Sequence, residues 1–110
     1  MNDAELTHIA LINELSQHLG QGRGIRADEL AQALHITPRR LRLAISRARE
    51  EGFSICGHPR TGYYMPETAA ELERACAFLH ARAMHSLRLL ARMRRVALPV
   101  LMGQLLLAQG

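Results

Sequence analysis

The chain has no lysine and no tryptophan, two phenylalanines, two tyrosines and two cysteines among 110 residues. Each shortage excludes something. With aromatics at 4%, any core must be aliphatic, and an apolar share of 48% supplies enough Leu, Ile, Ala and Met to build one. That share argues against a disordered chain. Cys56 and Cys76 are too few for a disulfide framework. The N-terminus lacks the basic start, long apolar run and small-residue cleavage site of a secretory signal. The one strongly apolar stretch, Val96 to Ala108, is interrupted by Pro99 and Gly103 and is too short to cross a bilayer. A cytoplasmic, reduced protein without a membrane partner is expected.

Catalytic signatures are also lacking. There is no Gly-rich phosphate loop, no Ser nucleophile elbow, and no paired carboxylates beyond Asp28-Glu29 and Glu50-Glu51 at helix ends. Cys56 with His58, and Cys76 with His80, have the residue types of a zinc site. The Cys-Gly-His spacing is not a usual zinc knuckle, however, and buried thiols at strand and helix interfaces are the commoner use of such cysteines. The expectation is no enzyme, no cofactor and no metal.

What is present is arginine. All 14 basic residues are Arg, and the formal net charge is +4. Arg offers a planar fork of donors that suits phosphate oxygens and guanine edges. The charge is also clustered. Residues 1–22 hold three acids and no Arg, whereas Arg26, Arg39, Arg40, Arg42, Arg47, Arg49 and Arg60 follow within 24–62. Arg82 to Arg95 then holds five Arg and no acid. Two basic regions suit a polyanionic partner.

Apolar periodicity places a helix over about Asp3–Leu19, with Leu6, Ile9, Ala10, Ile12 (or Asn13) and Leu15 on its stripe and Leu19 following. Gly20, Gly22 and Gly24 stop it. A second helix runs from about Ala27 to Leu34, and His35-Ile36 turns the chain. Thr37 is an N-cap, Pro38 opens a third helix, and Gly52 ends it after about Glu51. Ala31 is the small residue at which these two helices cross, with Leu30, Leu34, Ile36, Leu41, Ala44 and Ile45 inward. The residue at the turn needs positive φ and is commonly Gly; here it is His35. Phe53–Cys56 and Tyr63–Met65 read as two strands around the turn formers Gly57 to Gly62. A long helix then opens at Glu67 or Thr68 and continues to about Ala97.

The fold class expected is mainly α with a small β-hairpin wing: a winged helix-turn-helix in residues 1–66, then a long C-terminal dimerisation helix and a short apolar helix in residues 67–110. On the third helix, Arg39, Arg42 and Ser46 point away from the core and are candidates for base contact. Arg40, Arg47 and Arg49 suit phosphates, and the helix start at Thr37 can receive one. At the wing tip, Arg60 and Thr61 are placed to reach the backbone or the minor groove.

Asp28 to Ile45, Ala48 to Ile55 and Gly62-Tyr-Tyr-Met together resemble the winged-helix DNA-binding domain of biotin-repressor-type regulators. That family has a Leu-Ala-x-x-Leu helix, a Ser/Thr-led recognition helix ending in an Arg-Glu-x-Gly turn, and a wing closing on a Gly-Tyr-x-Leu strand. By this resemblance Tyr63 and Met65 are the inward residues of the closing strand. It covers about Gly22 to Met65 and carries no biotin chemistry. With the long helix added, the chain is similar to small phage and prophage winged-helix proteins.

Leu72, Cys76, Leu79, Ala83, Ser86, Leu90, Met93 and Ala97 recur at alternating four- and three-residue steps, a coiled-coil-like seam. A straight helix of roughly 30 residues reaches about 45 Å, more than one small domain covers. Leu72, Leu79, Ala83, Leu90 and Met93, with Leu101 and Leu105 after Pro99, are therefore the expected dimer or partner residues. The function expected is sequence-specific binding of double-stranded DNA by a homodimer that regulates transcription or organises DNA. The alternative is a phage-type winged-helix protein that binds and inhibits a host protein.

Overall fold

A computed structural model describes the backbone of residues 2–109 and the side chains of residues 2–107. The side chain of Ala108, the end of the apolar stretch, and the outer limits Met1 and Gly110 of the two expected domains lie outside that description. The protein is mainly helical, with one small antiparallel hairpin: α1 (Asp3–Leu15), α2 (Ala27–Ala33), α3 (Pro38–Glu50), β1 (Cys56–His58), β2 (Gly62–Tyr64), α4 (Ala69–Arg94) and α5 (Leu98–Gln109). A single 3₁₀ turn, Gln21–Arg23, sits between α1 and α2. No helix among the described residues is long and apolar enough to cross a membrane. The chain forms two compact units divided between Ala75 and Cys76.

In the first unit α3 packs against both α1 and α2. The core joins Leu11 and Leu15 of α1, Ile25, Leu30 and Ala31 of α2 and its approach, Leu41, Ile45 and Ala48 of α3, and Ile55. Burying a side chain of Leu or Ile size stabilises by roughly 1.5–3 kcal/mol, so Leu41 and Ile45 alone secure α3 firmly. The α2–α3 turn is built as a Schellman motif. The His35 N–H donates to the Gln32 carbonyl and the Ile36 N–H to the Ala31 carbonyl, at 3.1 and 3.0 Å. His35 takes φ +55°, the conformation its position demanded. α3 opens on the Thr37 hydroxyl, which accepts the Arg40 N–H at 3.2 Å, with Pro38 in the first turn. It closes on a second Schellman pair, Gly52 N–H to Arg49 and Phe53 N–H to Ala48, with Gly52 at φ +99°.

Several sequence expectations need correction. α1 stops at Leu15 rather than Leu19, because the backbone beyond it turns to pair with the hairpin. Met65 donates to the His18 carbonyl at 2.9 Å, and Gly20 donates to the Met65 carbonyl at 2.8 Å. Leu6 and Ile9 are about half exposed, and the inward stripe is Leu11 and Leu15, with Ile12 half-buried on the core and His8 half-buried beside α3. α1 carries apolar residues on two faces, and docking on α3 selects one.

The first strand begins at Cys56, three residues later than expected, after the α3 cap and an irregular Ser54-Ile55 link. Its register is Cys56 to Tyr64, Gly57 to Tyr63 and His58 to Gly62, leaving Pro59-Arg60-Thr61 as the loop. Ile25 adds a further bridge, exchanging hydrogen bonds of 2.8 and 2.7 Å with Tyr63. Gly62, at φ +86°, tolerates no Cβ there, since one would run into the Ile25 carbonyl. Tyr63 and Met65, the expected inward residues, pack on the main core half-buried, and Tyr64 between them is the fully buried one. It lies on the opposite face of β2 with Cys56, Ala75 and Leu72. The start of α4 covers that face, so the hairpin is sandwiched.

The long helix ends at Arg94, not Ala97. A proline inside a helix removes a hydrogen bond to the residue four back and its ring clashes with that carbonyl. For Pro99 that residue is Arg95, which instead adopts φ +56°. The Arg95 and Val96 N–H groups close the helix on Arg92 and Ala91, and Pro99 falls in the first turn of α5. Within this second unit Ala91 and Leu101 are buried. Leu101 thus belongs to the chain's own core, as Leu72 belongs to the Tyr64 cluster, which withdraws both from an exposed seam. Leu79, Ala83, Met93 and Leu105 are exposed and Leu90 is half-buried. Cys56 is buried, but Cys76 is exposed rather than lodged in an interface.

Candidate nucleic-acid interface

The buried positions of α3 leave an opposite face that the fold holds outward. Arg39, Arg42, Leu43, Ser46 and Glu50 are all exposed on it. Among the described residues Arg39, Arg42 and Ser46 form no side-chain hydrogen bond or ion pair. Their donors are free for a ligand. Glu50 places an acid at the C-terminal end of this face, so the Arg-rich surface is confined to the first three turns.

The remaining arginines of α3 are engaged with protein. Arg40 reaches Thr7 Oγ1 of α1 at 3.5 Å. Arg47 meets Glu51 at 3.3 Å, and Glu51 also meets His8 Nε2 at 3.2 Å. Glu51 stands at the C-terminus of α3, where the helix dipole disfavours an acid, and this network gives it a role: it links α3 to α1. His8 in turn lies edge-on to Phe53, with ring centroids 5.3 Å apart. Arg40 and Arg47, with Leu43, line a groove of ≈ 190 Å³ between the two helices. Arg49 is half-buried and its Nε donates to the Ile55 carbonyl at 2.9 Å. It ties α3 to the base of the hairpin and is not displayed as a phosphate ligand.

At the hairpin loop Arg60 is exposed, while its N–H donates to His58 Nδ1 at 3.1 Å. His58 therefore shapes the loop. Thr61 is half-buried, with a buried Oγ1 that has no hydrogen-bond partner, and its carbonyl lies against Gly24. Of the two expected tip residues, only Arg60 is presented to solvent.

Sequence reasoning missed Glu71. Its carboxylate accepts the N–H of Gln21 at 2.7 Å and that of Glu67 at 2.8 Å, tying the 3₁₀ turn to the start of α4. The Gln21 and Glu67 backbone hydrogen bonds, in that order, hold its pKa below the ordinary 4.5. Burial is the main cause of the raised pKa of Tyr64, whose phenol sits in the cluster behind the hairpin. Both are supports of the hairpin, and fifty residues separate Glu71 from Gln21, so no local pattern signals the pair. Among the described residues no three His, Cys, Asp or Glu side chains gather as a metal site. Comparison with protein-family models, with curated proteins and with solved structures returned no match.

Proposed function

We propose that the protein binds double-stranded DNA through a winged helix-turn-helix, as a homodimer that regulates transcription or organises DNA in a phage, prophage or bacterial setting. The observation that carries this reading is the outward face of α3, with Arg39, Arg42 and Ser46 exposed and unengaged on a helix fixed by buried Leu41, Ile45 and Ala48. A helix in the major groove reads bases mainly through its N-terminal turns, where these residues lie. Leu43, 62% exposed between them, suits a thymine methyl. The hairpin is the wing, and Arg60 is its phosphate contact. The resemblance of residues 22–65 to biotin-repressor-type DNA-binding domains supports the same reading.

The test is fluorescence anisotropy across a salt series, on a duplex selected from random sequence and on a scrambled control. Each bidentate base contact discriminates by about 1–3 kcal/mol, so Arg39→Ala with Arg42→Ala should reduce the preference for the selected duplex at least tenfold. Arg60→Ala should weaken both duplexes alike and lower the salt slope by about 0.9. Salt-insensitive binding, or none to any duplex, would overturn the reading.

A second reading has one observation in its favour. α5 carries no charge, and Leu106 and Leu107 on it are 66% and 82% exposed, an apolar surface suited to a protein partner. If that partner is a host protein bound for inhibition, Arg39→Ala with Arg42→Ala leaves its capture by pull-down unchanged, and the wild type shows no duplex preference.

A further inference from the structure

The second unit carries a concentration of positive charge that the outward face of α3 does not explain. From Cys76 to the last residue the sequence has five Arg and not one acid. Three of them, Arg88, Arg92 and Arg95, line one concavity of ≈ 420 Å³ at the elbow between α4 and α5, floored by Ala91, Val96 and Leu98. All three are exposed, and among the described residues none forms a side-chain hydrogen bond or ion pair.

The elbow is a set geometry rather than a loose joint. Its two closing hydrogen bonds, Arg95 N–H to Arg92 and Val96 N–H to Ala91, measure 3.2 and 2.8 Å. Ala91 on one side of it and Leu101 on the next helix are both buried. Helix C-termini favour cations, which accounts for basic residues in the last turn. It does not account for Arg88, which lies before that turn and four residues from Arg92, a spacing at which like charges repel. Nor does it explain an Arg at Arg95, where φ +56° favours Gly or Asn. Three uncompensated cations around one open depression, one of them in an unfavourable backbone conformation, form a surface suited to an anion.

We infer that the α4–α5 elbow is a second phosphate-binding surface, in which Arg88, Arg92 and Arg95 grip the backbone of duplex DNA; this rests on the DNA-binding reading above. The guanidinium fork matches phosphate oxygens in pairs. Arg88 and Arg92 are about 6 Å apart along the helix axis, comparable with roughly two steps of about 3.4 Å of rise along one strand. On the helix wheel these two arginines lie opposite the Leu79, Ala83 and Met93 stripe. The apolar stripe and the arginine cluster can therefore be used at once, the first for a protein contact and the second for DNA. The contact reads no sequence; it adds affinity and salt dependence.

The test measures binding of the full chain to a labelled random-sequence duplex across a sodium chloride series. The charge-removing variant is Arg88→Gln, Arg92→Gln, Arg95→Asn, the last chosen because Asn accepts the left-handed conformation. A companion variant carries Lys at all three positions. Three lost phosphate contacts should make the log–log salt slope shallower by about 2 to 3, with the Lys variant close to wild type and the helicity of both unchanged by circular dichroism. Single substitutions should each lower the slope by about 0.9, so the inference stands or falls even if the triple variant does not fold. A wild-type slope in the variants that fold, with duplex binding otherwise intact, would overturn the inference and leave the DNA-binding reading standing. Absence of any duplex binding by the wild type would remove both. Arginine-dependent capture by phosphatidylglycerol vesicles, with an unaltered duplex slope, would assign the cluster to a membrane surface and overturn the inference.

Discussion

His35 shows how one side chain can oppose the conformation it occupies. At φ +55° it sits where an L-residue is disfavoured by roughly 1–2 kcal/mol. Glycine there relieves that strain but loses more chain entropy on folding, a cost of roughly 0.5–1 kcal/mol. The balance favours glycine by about 0.5–1 kcal/mol. His35→Gly should therefore raise the melting temperature by a few degrees in a thermal denaturation experiment. A drop would mean that the imidazole makes a compensating interaction in the folded protein. At the same scale the arginines of α3 divide by what they touch. Arg49, facing the Ile55 carbonyl, is a structural residue, while Arg39 and Arg42 face only solvent. Spacing on a helix wheel separates inward from outward, but it does not separate an engaged guanidinium from an unengaged one.

Among the elements, the hairpin depends most on distant support. Ile25 and the Leu19 segment pair with its return strand, the start of α4 covers Tyr64, and Glu71 joins Gln21 to Glu67. The depressed pKa of Glu71 makes this support pH-dependent. Its contribution is present in full above the ordinary value of 4.5 and is lost as pH falls below that through the lower, folded-state value. Glu71→Gln should accordingly be less stable than wild type in urea at neutral pH, with the difference shrinking towards pH 3. A constant difference across that range would show that the charge is not what matters. The same long-range dependence explains why strand limits were the least legible feature. Phe53 to Ile55 have strand-forming residue types, yet the cap of α3 takes Phe53 and pairing begins only at Cys56. The end of α4 at Arg94 fell three residues before the expected Ala97, because Pro99 cannot extend α4 past Arg95.

For the whole molecule the useful contrast is between its two units. All ten acids lie at or before Glu73, so the first unit is nearly balanced and the net positive charge belongs to the second. The second unit also exposes Leu79 at 42% and Met93 at 83%. We expect these residues to join two copies of the chain. Light scattering after size exclusion should give twice the chain mass for wild type and the chain mass for Leu79→Glu with Met93→Glu. Losing the second reading head should weaken binding to a two-fold symmetric duplex by about 10²-fold or more. A wild-type monomer at micromolar concentration would remove the dimer and, with it, the expectation of a palindromic site.

The sequence by itself determined the local structure: helix starts at Thr37 and Pro38, helix ends at Gly52, the positive-φ turn at His35, and the outward set on α3. These follow from short-range rules of capping, sterics and periodicity, which act over a few residues. Only the tertiary structure decided the rest. It chose Leu11 and Leu15 over Leu6 and Ile9 as the buried face of α1, turned Leu19 from helix to bridge, and set Tyr64 behind the hairpin. It also brought Arg49 to Ile55, Glu71 to Gln21, and Arg88, Arg92 and Arg95 around one cavity. In each case the deciding partner came from another element or from a bend in the chain. The energy of such contacts depends on which surfaces meet, a quantity that no pattern confined to one segment contains.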